Sequence, residues 1–410
     1  PAHPFGYLPL ARAATRAGAR VVLQTDINLF YPSVYTHTIP WAIHGKATAK
    51  ANRANKLLGN FLDSLVRCGQ DQQTIGIPIG PDLSLLLAEI LLAAVDSQLL
   101  KHLPQFRGYR GYRYVDDYEF AFPTAAAADE ALAALQSVLA DFELQLNPRK
   151  TQIVDLPIPL EAPWAPEIRL YRIRSGSKGQ ATDVIDVFSK AFEFARGHRE
   201  ESVIKYAVAR MRSEVINQSN WELYGNLLLQ SAVVEPGTLD TVIVEFYRYQ
   251  QAGYPVDRNK LAEAFVEVVN THAPLEHGSE VAWVLWEHIL FNIPMESVPA
   301  RLVRGMRDPV VGLLLLHAQD QKLVPSQTDF SAWQALMKGE ELRSENWLLA
   351  YEALLKGWLS SADGKDYVAS DLCCSAMRAS GVSFYDAVAS QGFQPVLSVA
   401  KAGYGVGPAV

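Results

Sequence analysis

Cysteine is scarce in this chain: Cys68, Cys373 and Cys374 are the only three among 410 residues. Two are adjacent, an arrangement that rarely pairs, and no C-x-x-C spacing occurs. A disulfide framework and a cysteine-built zinc site are therefore excluded, and a reducing compartment is expected. The opening residues do not read as a secretory leader. Long apolar runs are also missing. The best, 83–95, is interrupted by Glu89; it is expected to be too short for a bilayer and to form a buried helix, so no membrane is expected as a partner. Positive charge is in short supply too. The net charge of −7 excludes a wholly basic, histone-like binder. Residues 1–150 hold 14 Lys+Arg against 13 Asp+Glu, and the remaining 260 hold 23 against 31. What basic excess exists lies in the first part, enough to line one channel but not a whole surface.

Against these absences, 49% hydrophobic and 20% charged residues suit a globular chain with a large core, and the length suggests two or three domains. Pro1, Pro4 and Pro9 punctuate an abrupt start, so residues are expected to precede Pro1. A short helix is expected over 10–18 and a strand over 20–26. One long helix is expected over 40–68, and an apolar one over 83–100, opened by a Gly/Pro loop at 76–81 and capped by Asp82 or Ser84. An aromatic hairpin is expected over 108–122, a helix over 125–142, and a strand with a turn over 144–154. Prolines 157, 159, 163 and 166, then Gly176 and Gly179, mark 156–182 as a linker. Beyond it strand signals nearly vanish. Helices are expected at 183–196, 200–216, 220–234, 238–251, 259–271, 278–291, 309–318, 329–338 and 344–360. Short connections between them suggest a stack of helical pairs of the HEAT type, although no fixed period is visible. The Gly-rich end, 401–410, reads as a loose tail.

The chemistry concentrates in Tyr114-Val115-Asp116-Asp117. Two adjacent carboxylates at a hairpin tip are costly unless something positive sits on them. An ordinary Asp-Asp turn is the bland alternative. Asp26 weighs against it, because it ends the strand Val21-Val22-Leu23 and is followed by Tyr31 five residues later. Two-metal phosphoryl transfer needs carboxylates from two separated elements, since the ions lie about 3.5–4 Å apart. Asp26, Asp116 and Asp117 are thus the expected catalytic and metal-holding set, for Mg²⁺, or Mn²⁺, in two sites.

The segments Asp26-Ile-Asn-Leu-Phe-Tyr31, Ile75-Gly-Ile-Pro-Ile-Gly-Pro-Asp82 and Tyr114-Val-Asp-Asp117 resemble motifs A, B and C of reverse transcriptases, in that order. They are separated by 49 residues from Asp26 to Ile75 and 34 from Asp82 to Asp116. Leu146-Asn147-Pro-Arg-Lys150-Thr151 resembles motif D. Residues 33–46, Ser-Val-Tyr-Thr-His-Thr-Ile-Pro-Trp-Ala-Ile-His-Gly-Lys, look like the bacterial abortive-infection (Abi-like) and other defence-associated reverse transcriptases, whose C-terminal halves are also helical and HEAT-like. The motif resemblance covers about residues 20–215.

The resemblance implies an α+β fold: a palm with partial fingers over 1–155, the linker 156–182, and an all-α HEAT-like domain over 183–400 in place of a thumb. The 25 residues ahead of Asp26 are short for fingers. It implies Tyr31 as a steric gate against a ribose 2′-OH, Pro78 and Gly80 as contacts to the incoming nucleotide and template base, and the Ile27 backbone as a further metal ligand. Ile79 departs from the glutamine common in retroviral enzymes. Lys150 would neutralise or protonate the leaving pyrophosphate. Independently of the resemblance, Lys46, Lys50 and Arg53 are spaced i, i+4, i+7 in a stretch, 27–62, with no acidic residue. On a helix they would form one stripe for nucleic-acid phosphates. Arg107, Arg110 and Arg113 could serve similarly. His37 and His44 read as structural hydrogen-bonding groups, and the tryptophans of the second half as packing.

The expected activity is DNA synthesis from dNTPs in the bacterial cytoplasm, as part of antiphage defence. It would be templated by RNA, a noncoding RNA included, or template-independent and primed from the protein itself, leaving the DNA product covalently attached. A homo-oligomer, trimer or hexamer, is implied by the same relatives. Two other readings compete: a degenerate palm acting as a nucleic-acid or protein scaffold, and a mobile-element reverse transcriptase. Retention of all three aspartates disfavours the first. The absence of a zinc or nuclease pattern disfavours the second.

Overall fold

A computed structural model describes residues 7–102, 110–389 and 393. The chain falls into two compact units, Pro1–Ala162 and Pro163–Val410.

The first unit runs α1 (Leu8–Arg16), β1 (Val21–Asp26), α2 (Phe30–Ser33), α3 (Thr38–His44), α4 (Lys46–Ala51), α5 (Leu58–Cys68), α6 (Asp82–His102), β2 (Arg110–Tyr114), β3 (Asp117–Phe122), α7 (Ala125–Asp141) and β4 (Gln152–Asp155). The strands form one sheet in the order β2-β3-β1-β4, with every pairing antiparallel. The run Val21-Val22-Leu23 is buried to within 5% exposure, as expected of a β-branched central strand. Val21 and Leu23 pack with Phe122 of β3 and Ala128 and Ala131 of α7. A second core joins Ile27, Phe30 and Trp41 to Leu91, Leu92 and Val95 of α6 and Leu135 and Leu139 of α7. Thr124 caps α7 by accepting the Ala127 amide. Beneath the sheet, the Arg16 guanidinium grips Glu119 through two hydrogen bonds of 2.8 and 2.9 Å. Burial pulls the Glu119 carboxyl up, but Arg16 and Gln24 outweigh it and hold it below the ordinary range.

The helix expected over 40–68 is three helices. Gly45 turns the chain at φ +82°, and Asn52 leaves α4 in a non-helical conformation at φ −125°, ψ 79°. The apolar helix is longer than expected. Asp82–Lys101 is long and apolar enough, by length and composition alone, to cross a membrane. Here Leu87, Leu91, Val95 and Leu99 are buried and the helix packs on α3 and α7, while its acids Glu89 and Asp96 pair with Arg113. A membrane span would have to break both pairs.

The second unit is helical: α8 (Trp164–Leu170), α9 (Ser177–Gly197), α10 (Val203–Met211), α11 (Trp221–Val234), α12 (Leu239–Gln251), α13 (Arg258–His272), α14 (Gly278–Phe291), α15 (Ser297–Val303), α16 (Pro309–Asp320), α17 (Ser331–Gln334), α18 (Trp347–Lys356), α19 (Tyr367–Ser370) and α20 (Leu372–Ala379). The stretch read as a linker therefore holds α8 and the start of α9. Prolines 163 and 166 sit at and just inside the start of α8, where a missing amide costs nothing. The helices expected over 200–216 and 329–338 are shorter, and α15, α19 and α20 were not anticipated. Contacts skip along the chain: α11 meets α12 and α13, α12 meets α14, α14 meets α16, and α16 meets α18. One continuous core results, from Val184 to Cys374. Trp221 and Trp333 are buried in it as expected, and Trp221 stacks on Tyr249 at 4.4 Å and donates to the Pro255 carbonyl, whereas Trp347 is 39% exposed.

Candidate active site

Three carboxylates meet where β1 ends and the β2–β3 hairpin turns. Antiparallel register places Asp26 opposite Asp117. One residue beyond the strand, the Ile27 amide donates to the Asp116 carbonyl at 3.2 Å. The turn itself is Val115-Asp116, with Val115 at φ +54°, a left-handed conformation that a β-branched residue adopts only when its surroundings impose it. Asp26 is 5% exposed. Its Oδ2 accepts the Lys150 ammonium at 2.7 Å, and its buried Oδ1 has no hydrogen-bond partner. Burial, then the charge of Asp26, pushes the Asp116 carboxyl up. Burial, then Asp116 and Asp26, does the same to Asp117.

A clustered, partly desolvated set of carboxylates with an orphaned buried oxygen and one ammonium carries a deficit of positive charge. A divalent cation fits that deficit. The donors are all oxygen, which suits a hard ion such as Mg²⁺ or Mn²⁺ rather than zinc or copper. Asp26, Asp116 and Asp117 are the residues that would hold it.

Lys150 reaches Asp26 from a rigid turn. The Asn147 amide donates to the Asp26 carbonyl at 2.9 Å, and the Lys150 and Thr151 amides return to the Asn147 carbonyl at 3.2 and 3.0 Å. The Asn147 side chain accepts the Arg149 amide, an Asx turn. The Thr151 and Thr25 hydroxyls, 2.7 Å apart, tie the turn to β1. The hydrogen bond to Asp26 is the main cause that raises the Lys150 pKa, so the ammonium stays charged.

The hairpin turn is clamped from outside. The Arg113 Nη1 donates to the Val115 carbonyl at 2.8 Å and to Glu89 at 3.0 Å. Its Nη2 reaches the other Glu89 oxygen at 3.1 Å, and its Nε reaches Asp96 at 3.0 Å. Asp96 also accepts the Tyr118 hydroxyl. Arg113 was expected to face nucleic acid; instead its donors are used within the fold, fixing the turn to α6. Arg110 likewise donates to the Ala14 and Ala17 carbonyls of the α1 end. Arg107 lies outside the described residues.

Tyr31 stands beside the carboxylates. Burial, then the charge of Asp116, raises its phenol pKa. The loop carrying Pro78 and Gly80 is tied to the same helix: the Gly76 amide donates to the Val34 carbonyl at 2.8 Å and the Ile77 amide to the Tyr31 carbonyl at 3.0 Å. Gly76, at φ +86°, lies 3.3 Å from the Pro32 carbonyl oxygen by the position a Cβ would take, so close approach and backbone conformation both require glycine. Pro78 and Gly80 are exposed, and Gly80, at φ +113°, has open space around it.

The basic stripe is only partly assembled. Lys46 donates to the Asp141 carbonyl at the end of α7 and lies 4.2 Å from the Trp41 ring centre. Arg53 falls beyond α4, because Asn52 ends the helix. Lys50 and Arg53 nevertheless line one cavity of about 390 Å³ with Tyr35, Trp41 and Arg67. His37 bonds Asp63 at 2.7 Å and His44 accepts the Gly59 amide at 3.0 Å, both structural roles.

Sequence reasoning passed over Glu89 and Asp96. Their signal was the spacing of two acids on one side of an otherwise apolar helix, legible only once Arg113 is known to face it.

Residues 5–177 match the family described as Reverse transcriptase (RNA-dependent DNA polymerase). No curated protein matches the chain.

Proposed function

We propose that the reverse-transcriptase domain at 5–177 is an active, two-metal DNA polymerase of the defence-associated type. A reverse-transcriptase domain implies dealings with nucleic acid and dNTPs, and its family uses divalent metals. The catalytic part of that reading rests on one observation: Asp26, Asp116 and Asp117 converge where β1 ends and the β2–β3 hairpin turns, with the buried Asp26 Oδ1 left without a partner.

A pair of divalent ions such as Mg²⁺, when bound, would supply Lewis acidity for transfer of a nucleotide to a 3′-hydroxyl with loss of pyrophosphate. Asp26, Asp116 and Asp117 would hold that charge, with the Ile27 carbonyl as a further oxygen. Lys150, charged and 2.7 Å from Asp26, serves as the group that neutralises or protonates the leaving pyrophosphate. Tyr31 crowds a ribose 2′-OH and so selects dNTPs. The exposed loop at Pro78 and Gly80 admits nucleotide and template base. Lys50 and Arg53 contact nucleic-acid phosphates. Lys46 contributes less, because its ammonium is spent on α7.

The defence role rests on the resemblance of residues 33–46 and on the skipping helix contacts of the second unit, which suit a HEAT-like stack. RNA-templated synthesis, template-free synthesis primed from the protein, and trimeric or hexameric assembly come with that resemblance. Labelled dNTPs and Mg²⁺, without added template, test the proposal. Incorporation by the wild type and none by Asp116→Ala is the expected result. Label that persists on denatured protein indicates protein priming. Incorporation that survives Asp116→Ala overturns the site.

A further inference from the structure

We propose that His272, His277 and Glu280, in the second unit, form a binding site for one divalent transition-metal ion of the zinc type. The site goes beyond the polymerase reading and shares no residue with it.

The three residues come from one tight connection. His272 ends α13, His277 precedes α14, and Glu280 lies in its first turn. One ligand atom from each falls within 4.8 Å of the others. The two imidazoles face each other through Nδ1, 2.8 Å apart. Two protonated Nδ1 atoms cannot meet at that distance, so at least one presents a lone pair inward. A metal ion takes the place of the shared proton. Glu280 supplies a carboxylate oxygen, which completes a His-His-Glu set. That set suits zinc, copper or nickel better than magnesium, whose preferred ligands are all oxygen. Three protein ligands leave a position for water.

The arrangement is preformed. The His277 amide donates to the His272 carbonyl at 3.1 Å and closes the turn. Glu276, at φ +57°, accepts the Arg307 amide at 3.0 Å. Gly278 packs against Asp308, whose carboxylate would have to move to admit a Cβ. His277 is exposed while His272 and Glu280 are half-buried, so an ion has access. With metal–nitrogen bonds of about 2.0–2.1 Å, tetrahedral geometry needs the nitrogens about 3.3 Å apart. The His277 ring must therefore swing outward by about half an ångström, which its exposure permits. The last carbonyls of α13 add partial negative charge on the same side.

The test uses the full, untagged chain stripped with chelator. Zn²⁺ is titrated calorimetrically, and Co²⁺ by its visible absorption. One tight equivalent is expected in the wild type and in Asp116→Asn, with affinity at least about tenfold weaker in His272→Ala and in Glu280→Gln. His277→Gln, at an exposed position, guards against a folding defect, and circular dichroism checks each variant. An unchanged equivalent in His272→Ala and His277→Gln would place the ion elsewhere and overturn the proposal. So would the absence of tight binding in the wild type. Because Asp116→Asn abolishes only the polymerase site, failure there and failure here are read separately.

Discussion

The Arg113 guanidinium donates to the carbonyl of Val115 at 2.8 Å, and Val115 is the left-handed residue of the turn that presents Asp116 and Asp117. A strained turn is thus held by a side chain only two residues upstream, which is itself anchored to α6 by Glu89 and Asp96.

That clamp should be felt in catalysis before it is felt in folding. Arg113→Met removes hydrogen bonds to charged partners worth about 1.5–3 kcal/mol. A misplacement of about 1 Å at the carboxylates costs about 100-fold in rate. We expect Arg113→Lys to recover only part of the activity, since an ammonium cannot fork between Glu89 and Val115. Steady-state incorporation alongside thermal unfolding separates the two effects. Equal activity in wild type and Arg113→Met would dismiss the clamp.

Asp116 carries opposite consequences for activity and stability. Its carboxyl is pushed up by burial and by Asp26, so its charged form is disfavoured in the fold. Asp116→Asn should abolish synthesis yet raise the melting temperature of the metal-free protein by about 1–3 °C. A lower melting temperature would mean that the carboxylates are not repelling one another.

The same shift sets a pH dependence. Asp116 and Asp117 have raised pKa values, so between the ordinary carboxylate range and those values the folded state binds more protons than the unfolded one. Metal-free stability should therefore fall as pH rises through that window. Saturating Mg²⁺ should reverse the slope, because metal and proton compete for the same oxygens. Melting curves from pH 4 to 7, with and without Mg²⁺, measure both.

Lys150→Met should lower the rate of synthesis while leaving Mg²⁺ affinity unchanged or improved, since the ammonium at Asp26 competes with cations. Weaker Mg²⁺ binding in this variant would make Lys150 a structural prop instead.

Tyr31→Ala should admit ribonucleotides, narrowing sugar discrimination by about 10–200-fold. Tyr31→Phe should keep it, because the ring and not the hydroxyl does the crowding. Single-nucleotide incorporation of dNTPs against rNTPs reads this directly.

Much of the first unit was legible because its signals are local. The strand Val21-Val22-Leu23, the Ala/Leu-rich helix after Thr124 and the aromatic hairpin each announce themselves within a few residues. The meeting of Asp26 with Asp117 was inferable from chemistry, since paired acids need a cation. What escaped the sequence depends on long-range geometry or on single backbone angles. Gly45 and Asn52 break a good helical composition into three pieces and take Arg53 off the stripe. Arg113 looks like a free cation in sequence and is consumed by acids 17 and 24 residues away. In the second unit, proline inside the first turn of a helix resembles proline in a linker, which concealed α8.

One bond described above links two decisions usually treated apart. The Ile77 amide rests on the Tyr31 carbonyl, so the strip that would meet the template base and the ring that would inspect the sugar hang from a single peptide. A change that relaxes one should loosen the other, and fidelity toward base and toward sugar would then drift together under mutation, as one inherited trait.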